Sequence, residues 1–282
     1  MTTDHDRAAH ISPPPPPPIQ DINILNQHID DDEGVYRIQH GHKVGYLAIP
    51  TGLLDEDTMC RPYLLIPNLP ALPTTPWTRL YLSRGGQDGE TLHFHASNDP
   101  LPAISHPWSA QQIDILTLPR TKRYRSNVHE VSHDSQPAIA KIAAFEWDIP
   151  RMRTETWAYP TLHQHQQQET SSPSRQIAPR VLAQLTENGR TIGLLLEKVE
   201  GSPASMHDLA GCEETLRAIH RLGLVHGDVN RHNFLVERGT GRVCLVDFEH
   251  AEEYEAGKAG AELDSLTAEL GEESGRGAAN VF

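Results

Sequence analysis

At 282 residues the chain is long enough to bury a real core, as one large domain or two modest ones. Its 37% hydrophobic and 22% charged content fits a soluble globular protein, and a net charge of −14 disfavours non-specific binding to nucleic acid or membrane. No apolar run approaches the roughly 20 residues that span a bilayer, and three widely spaced cysteines, Cys60, Cys212 and Cys244, argue against a disulfide framework and a cysteine zinc site.

The opening residues lack an apolar core and a cleavage pattern, so a secretory signal is not expected and a cytoplasmic location is. Residues 1–19, with the polyproline run Pro13–Pro18, are predicted to be a disordered tail, although the run also suits a recognition ligand. Residues 20–110 form a β-rich region without an assignable role. One hairpin is expected where Val35–Gln39 and Lys43–Ile49 flank His40-Gly41-His42. A second joins Leu80–Ser83 to Thr91–His95 across Gly85-Gly86-Gln87-Asp88-Gly89. Pro62, Pro67, Pro70, Pro73 and Pro76 exclude a long central strand between them.

After Pro107-Trp108, short strands are predicted at Ile113–Leu118, Val128–Val131 and Ala138–Ala144. A helix is expected over Arg151–Tyr159, stopped by Pro160, and then a loop over His163–Ser174. Arg180–Leu185 and Thr191–Leu196 make a hairpin around Asn188-Gly189. Asp208–Leu222 is a helix with Cys212, Leu216 and Ile219 on one face and Gly223 at its stop. The acidic tail Glu249–Glu273 carries Leu263, Leu266 and Leu270 at helical spacing.

The informative stretch is Val225-His226-Gly227-Asp228-Val229-Asn230-Arg231-His232-Asn233, together with the adjoining segment Phe234–Phe248. Two apolar runs, from Phe234 and from Val243, flank a loop at Arg238–Arg242 and predict a hairpin. If it is symmetric about Thr240, Asn233 and Asp247 stand opposite each other at its open end. An amide oxygen and a carboxylate so placed suit a hard cation such as Mg²⁺, completed by phosphate oxygens and water. Lys141 interrupts the apolar run Ala138–Ala144, and an ammonium half-buried there needs an anionic partner unless the strand is an edge and the side chain reaches water.

H-G-D-x-x-x-x-N with a downstream Asp247-Phe248-Glu249 resembles the catalytic and metal loops of the protein-kinase-like superfamily. Glycine rather than arginine after the histidine is similar to its aminoglycoside phosphotransferase-like branch. The wording resembles fungal kinase-like proteins in particular, over about residues 111–275. The resemblance implies an α+β, bilobal kinase-like fold with a short helical C-lobe. The β-rich lobe would span 111–199 and the catalytic lobe 200–282. It implies that Asp228 accepts the proton of an acceptor hydroxyl, and that Asn233 and Asp247 hold the metal. Lys141 would meet the nucleotide phosphates with Glu155 as its helix partner in preference to Glu146. The backbone of Glu197 and Val199 would pair with adenine at the hinge.

The function so implied is ATP- and Mg²⁺-dependent transfer of a γ-phosphate to a hydroxyl of an acceptor, a small molecule before a protein. The alternatives are a pseudokinase serving as a nucleotide-binding or scaffold module, and an atypical Ser/Thr protein kinase. Two departures keep them open. The run Arg120–Asn127 has no glycine, so either its basic side chains contact phosphate or it is a solvated basic turn. The sequence after Asp247 is short for a peptide-binding lobe. The pairs His40/His42, His93/His95 and His163/His165 could each face a metal, but no third ligand is identifiable and surface histidines suffice.

Overall fold

The structure, a computed structural model, describes residues 21–86, 89–105, 111–168, 176–275 and 277–278. The run Pro13–Pro18, the pair Gln87-Asp88, Pro107-Trp108 and residues 169–175 lie outside the described residues. The chain divides into two units, Met1–Asp99 and Pro100–Phe282.

In the first unit five strands form one sheet in chain order. They are β1 (Ile22–Ile29), β2 (Glu33–His40), β3 (Lys43–Pro50), β4 (Arg79–Gly85) and β5 (Thr91–Ser97). Both expected hairpins are present, and β3 runs parallel to β4. A parallel pair needs a crossover. The proline-rich segment supplies it as two short helices, α1 (Glu56–Cys60) and α2 (Pro62–Asn68). Asp55 caps α1 by accepting from Thr58 N at 2.9 Å, and Pro62 opens α2, where its missing N–H costs nothing. Tyr36, Ile38, Leu47, Ile49, Leu65, Leu80 and Leu82 close the core.

The second unit has the α+β, kinase-like organisation: a β-rich lobe and then a short helical one. Its six-stranded sheet uses β6 (Gln112–Asp114), β7 (Arg120–Arg125), β8 (Val128–His133), β9 (Gln136–Ile142), then, after α3 (Ile149–Gln168), β10 (Val181–Glu187) and β11 (Arg190–Glu197). The order is β6-β10-β11-β9-β8-β7, so Arg120–Arg125 is an edge strand and the turn to β8 is only Ser126-Asn127. Ile115–Thr117, expected to extend a strand, is a 3₁₀ turn capped by Asp114.

Pro160 does not end α3; it lies inside it. A proline there removes one N–H bond and crowds the carbonyl four residues back. Burial of Met152, Ala158, Tyr159 and Leu162 in the main core outweighs that loss.

The helical lobe comprises β12 (Ser202–Pro203), α4 (Leu209–Arg221), β13 (Leu224–Val225), β14 (Phe234–Val236), β15 (Val243–Leu245), β16 (Glu252–Glu253) and α5 (Ala256–Leu270). Cys212, Leu216 and Ile219 of α4 pack with Leu266 and Leu270 of α5, and with Phe234, Leu245 and Phe248. No helix among the described residues is long and apolar enough to cross a membrane.

Candidate active site

The hairpin of β14 and β15 carries the site, in a register one step from the expected one. Phe234 pairs with Leu245 and Val236 with Val243, because Glu237 N bonds Arg242 O at 2.9 Å and closes an even-numbered loop. Asn233 therefore faces Val246, whose N–H donates to Asn233 O at 2.9 Å. Asp247 is the next residue, and a left-handed backbone (φ +69°) turns it out of the strand.

The loop from Val225 to Asn233 is held from three sides. His226 is fully buried; its Nε2 lies 3.0 Å from Val246 O and its ring meets Phe248 edge-on at 5.1 Å. Burial lowers its pKa, so the imidazole is neutral and donates through Nε2. Gly227 sits at φ +78° with a Cβ position only 2.1 Å from His250 O, so no other residue fits there without moving backbone. From α5, Glu262 accepts from Gly227 N through Oε1 at 2.6 Å and meets His220 Nε2 through Oε2 at 2.7 Å.

These contacts present Asp228. Asn233 Nδ2 donates to Asp228 O at 2.8 Å and to Oδ2 at 3.1 Å, and Asn230 Nδ2 donates to the same Oδ2 at 3.1 Å. Oδ1 has no protein partner among the described residues. Because the NH₂ end of Asn233 is spent on Asp228, its oxygen is the end left for another ligand.

Lys141 comes from β9, an interior strand, and is buried; it does not reach water as an edge lysine would. Its Nζ stands 2.5 Å from Glu155 Oε2, contacts Asp247 Oδ1 and is 3.9 Å from Glu249 Oε2. The helix glutamate beside it is thus Glu155, on the inward face of α3. Burial alone would lower the lysine's pKa, but Glu155, Asp247 and Glu249 outweigh it and hold the ammonium above its ordinary value. Glu155 is sealed from water and neither oxygen meets hydrogen-bond geometry; burial pushes its carboxyl up to about 7 against the pull of Lys141. Burial also works against Asp247, yet Lys141, and after it Arg125, hold that carboxyl below the usual range. Lys141 and Arg125 thus favour the charged form of Asp247, while burial favours the protonated form of Glu155.

Two contributors, Glu249 and Glu262, were not legible as site residues, and a third, Arg125, belongs to the basic run already weighed as a phosphate contact. Arg125 ends β7 and places Nη1 3.4 Å from Asp247 Oδ2. Glu249 faces both Lys141 and, at 3.9 Å, Arg151. Glu262 lies on the inward face of α5 with Ala259, Leu263 and Leu266, and an acid on an apolar stripe was the available signal. A cavity of about 600 Å³, within the range of small-ligand sites, is lined by Arg123, Arg125, Lys141, Arg151, Glu155 and Glu249. Glu197 and Val199 do not line it. Glu197 N donates to Arg180 O at 2.9 Å, and its carboxylate takes Arg180 at 2.9 and 3.0 Å and Gln176 at 2.8 Å. Among the described residues no three His, Cys, Asp or Glu side chains gather as a metal site, the histidine pairs included.

No match to a curated protein was found. Residues 161–253, from the second half of α3 through both loops to β16, match the model of the phosphotransferase enzyme family APH, part of the protein-kinase-like superfamily, which points to a kinase-like phosphotransferase function.

Proposed function

We propose that the second unit is an ATP- and Mg²⁺-dependent phosphotransferase that moves the γ-phosphoryl group to a hydroxyl of a small-molecule acceptor. The observation that carries this reading is the meeting of Lys141, Glu155 and Asp247 at one point, beside an Asp228 whose Oδ2 is held by two amides.

The donor set suits magnesium, since Asp247 offers a charged carboxylate and Asn233 an amide oxygen, both hard ligands few enough to leave room for phosphates and water. When bound, that ion would offset charge on the phosphate oxygens. Lys141 turns from Asp247 to the phosphates while Glu155 keeps its other side. Arg125 and Arg151 add positive charge where the run lacks a glycine loop. At the end of β11 the Glu197 carbonyl and Val199 N–H would pair with adenine.

Asp228 Oδ1 takes the acceptor's hydroxyl hydrogen bond. As the acceptor oxygen bonds to the γ-phosphorus, the bond to the β–γ bridging oxygen breaks and ADP leaves with that electron pair. The hydroxyl proton passes to Asp228 and then to water. Positioning and charge stabilisation carry most of the rate.

The test is ADP formation by the full chain against a panel of hydroxyl-bearing small molecules, beside Asp228→Asn. A wild-type signal reduced about 10²–10⁴-fold in the variant, with ATP affinity kept, supports the reading. Undiminished turnover in the variant removes Asp228 from its role. ATP binding without any ADP formation, with protein acceptors also tried, favours a nucleotide-binding module.

A further inference from the structure

Beyond α5, residues 272–275 and 277–278 lie back over the site formed by Lys141, Asp228 and Asp247. Arg231 Nη1 donates to Glu272 O at 3.2 Å, and Ser274 closes on the Glu272 carboxylate through N (2.7 Å) and Oγ (2.8 Å). Ala278 N then donates to Gly275 O at 3.0 Å, and Ala278 reaches the wall of the cavity that Lys141 lines. Gly277 touches the site on two sides. Its carbonyl accepts from Arg125 Nη2 at 2.7 Å, while Nη1 of the same guanidinium faces Asp247 Oδ2 at 3.4 Å. Its Cα lies on Asn230, one of the amides that hold Asp228, so closely that a Cβ would stand 2.6 Å from Oδ1, and its φ is +81°.

We propose that the described residues Glu272–Gly275 and Gly277-Ala278 act as an autoinhibitory strap, which fastens Arg125 onto Asp247 and covers the Asp228 side until nucleotide displaces it. The proposal rests on the reading of this site as the ATP site. Two features argue for a strap that leaves rather than a fixed wall. None of its described residues is buried, so little apolar area resists its departure. Its hold on Arg125 is a single backbone carbonyl, and phosphate oxygens bind a guanidinium more strongly than a neutral carbonyl does. Entry of the nucleotide thus exchanges Gly277 O and Asp247 for phosphate at one side chain.

A site covered nine times in ten binds its ligand about tenfold more weakly than an open one. Gly277→Val cannot keep both the left-handed backbone and the contact with Asn230, so it evicts the strap from the full chain. ATP·Mg²⁺ binding measured by calorimetry should tighten about tenfold in that variant. Removal of residues 272–282 should do the same, and a peptide of that sequence added back should weaken binding again. Equal or weaker binding in both variants overturns the strap. Amide exchange across Glu272–Ala278 reads it without nucleotide: faster exchange in Gly277→Val supports the docked strap, and unchanged exchange contradicts it. If no form binds ATP while exchange does rise, the nucleotide reading fails and the docking survives.

Discussion

Gly227→Ala is the sharpest single perturbation of the loop that presents Asp228. A Cβ at position 227 would stand 2.1 Å from His250 O, 2.9 Å from its carbonyl carbon and 3.1 Å from its Cβ. An ordinary contact begins near 3.4 Å, so one of two backbone segments must retreat by more than 1 Å. Alanine at φ +78° adds about 1–2 kcal/mol for its left-handed backbone. Overpacking at a site flanked by buried His226 and Phe248 adds about 1–3 kcal/mol. The sum is a loss of about 2–5 kcal/mol, read by urea denaturation of the second unit's transition. The retreat would also carry Asp228, the next residue, away from Asn230 and Asn233, and a 1 Å misplacement of that kind costs about 10² in rate. A variant within 1 kcal/mol of wild type and within twofold in turnover would refute this geometry of the loop.

Other changes separate the forces in the cluster. Lys141→Met leaves Glu155 buried without its cation and should cost about 3–5 kcal/mol at pH 8, and less at pH 5, where Glu155 takes a proton; equal losses at both pH values would count against the pairing. Glu155 has its folded pKa raised from 4.5 to about 7, so its contribution to stability is full below pH 4.5 and is lost as pH rises through about 7. Glu155→Gln should therefore flatten the fall in urea stability across that window, and parallel curves would contradict it. Asp247, held low, acts in the opposite sense, its contribution present above its ordinary 3.8 and lost as pH falls below it. Glu262→Ala strips the loop of its anchor from α5. It should cost about 1–3 kcal/mol and lower turnover with little change in ATP affinity, and unaltered turnover would remove Glu262 as a positioning residue.

The elements that sequence made legible are those whose signals are local. Asn188-Gly189 between apolar runs marks the β10–β11 turn, and the stripe Cys212, Leu216, Ile219 marks α4. That Lys141 needs an anionic partner came from chemistry, since an ammonium in an apolar strand is costly without one, and that the partner is Glu155 came from the resemblance to the kinase-like family. What escaped depends on distant parts of the chain. Pro160 reads as a helix stop, yet tertiary burial of Tyr159 and Leu162 carries α3 through it. Arg120–Arg125 reads as a polar turn because its charges hide the strand, and only pairing with β8 makes it an edge. The β14–β15 hairpin missed its expected register by one because a bond from Glu237 to Arg242 closes the loop. β1 and the two short helices of the first unit carry no period strong enough to stand out.

The most direct measurement is a thermal melt of the purified chain with ATP at several Mg²⁺ concentrations, beside Asp247→Ala. With two units, the transition to follow is that of Pro100–Phe282. Ligand at about 100 times its Kd adds about 2.7 kcal/mol to the state that binds it, which for a unit of this size raises Tm by about 5–10 °C. A nucleotide site at Lys141, Asn233 and Asp247 predicts that rise, dependent on Mg²⁺ and lost in Asp247→Ala. A well-folded wild-type unit whose Tm does not move at saturating ATP and Mg²⁺ would contradict it.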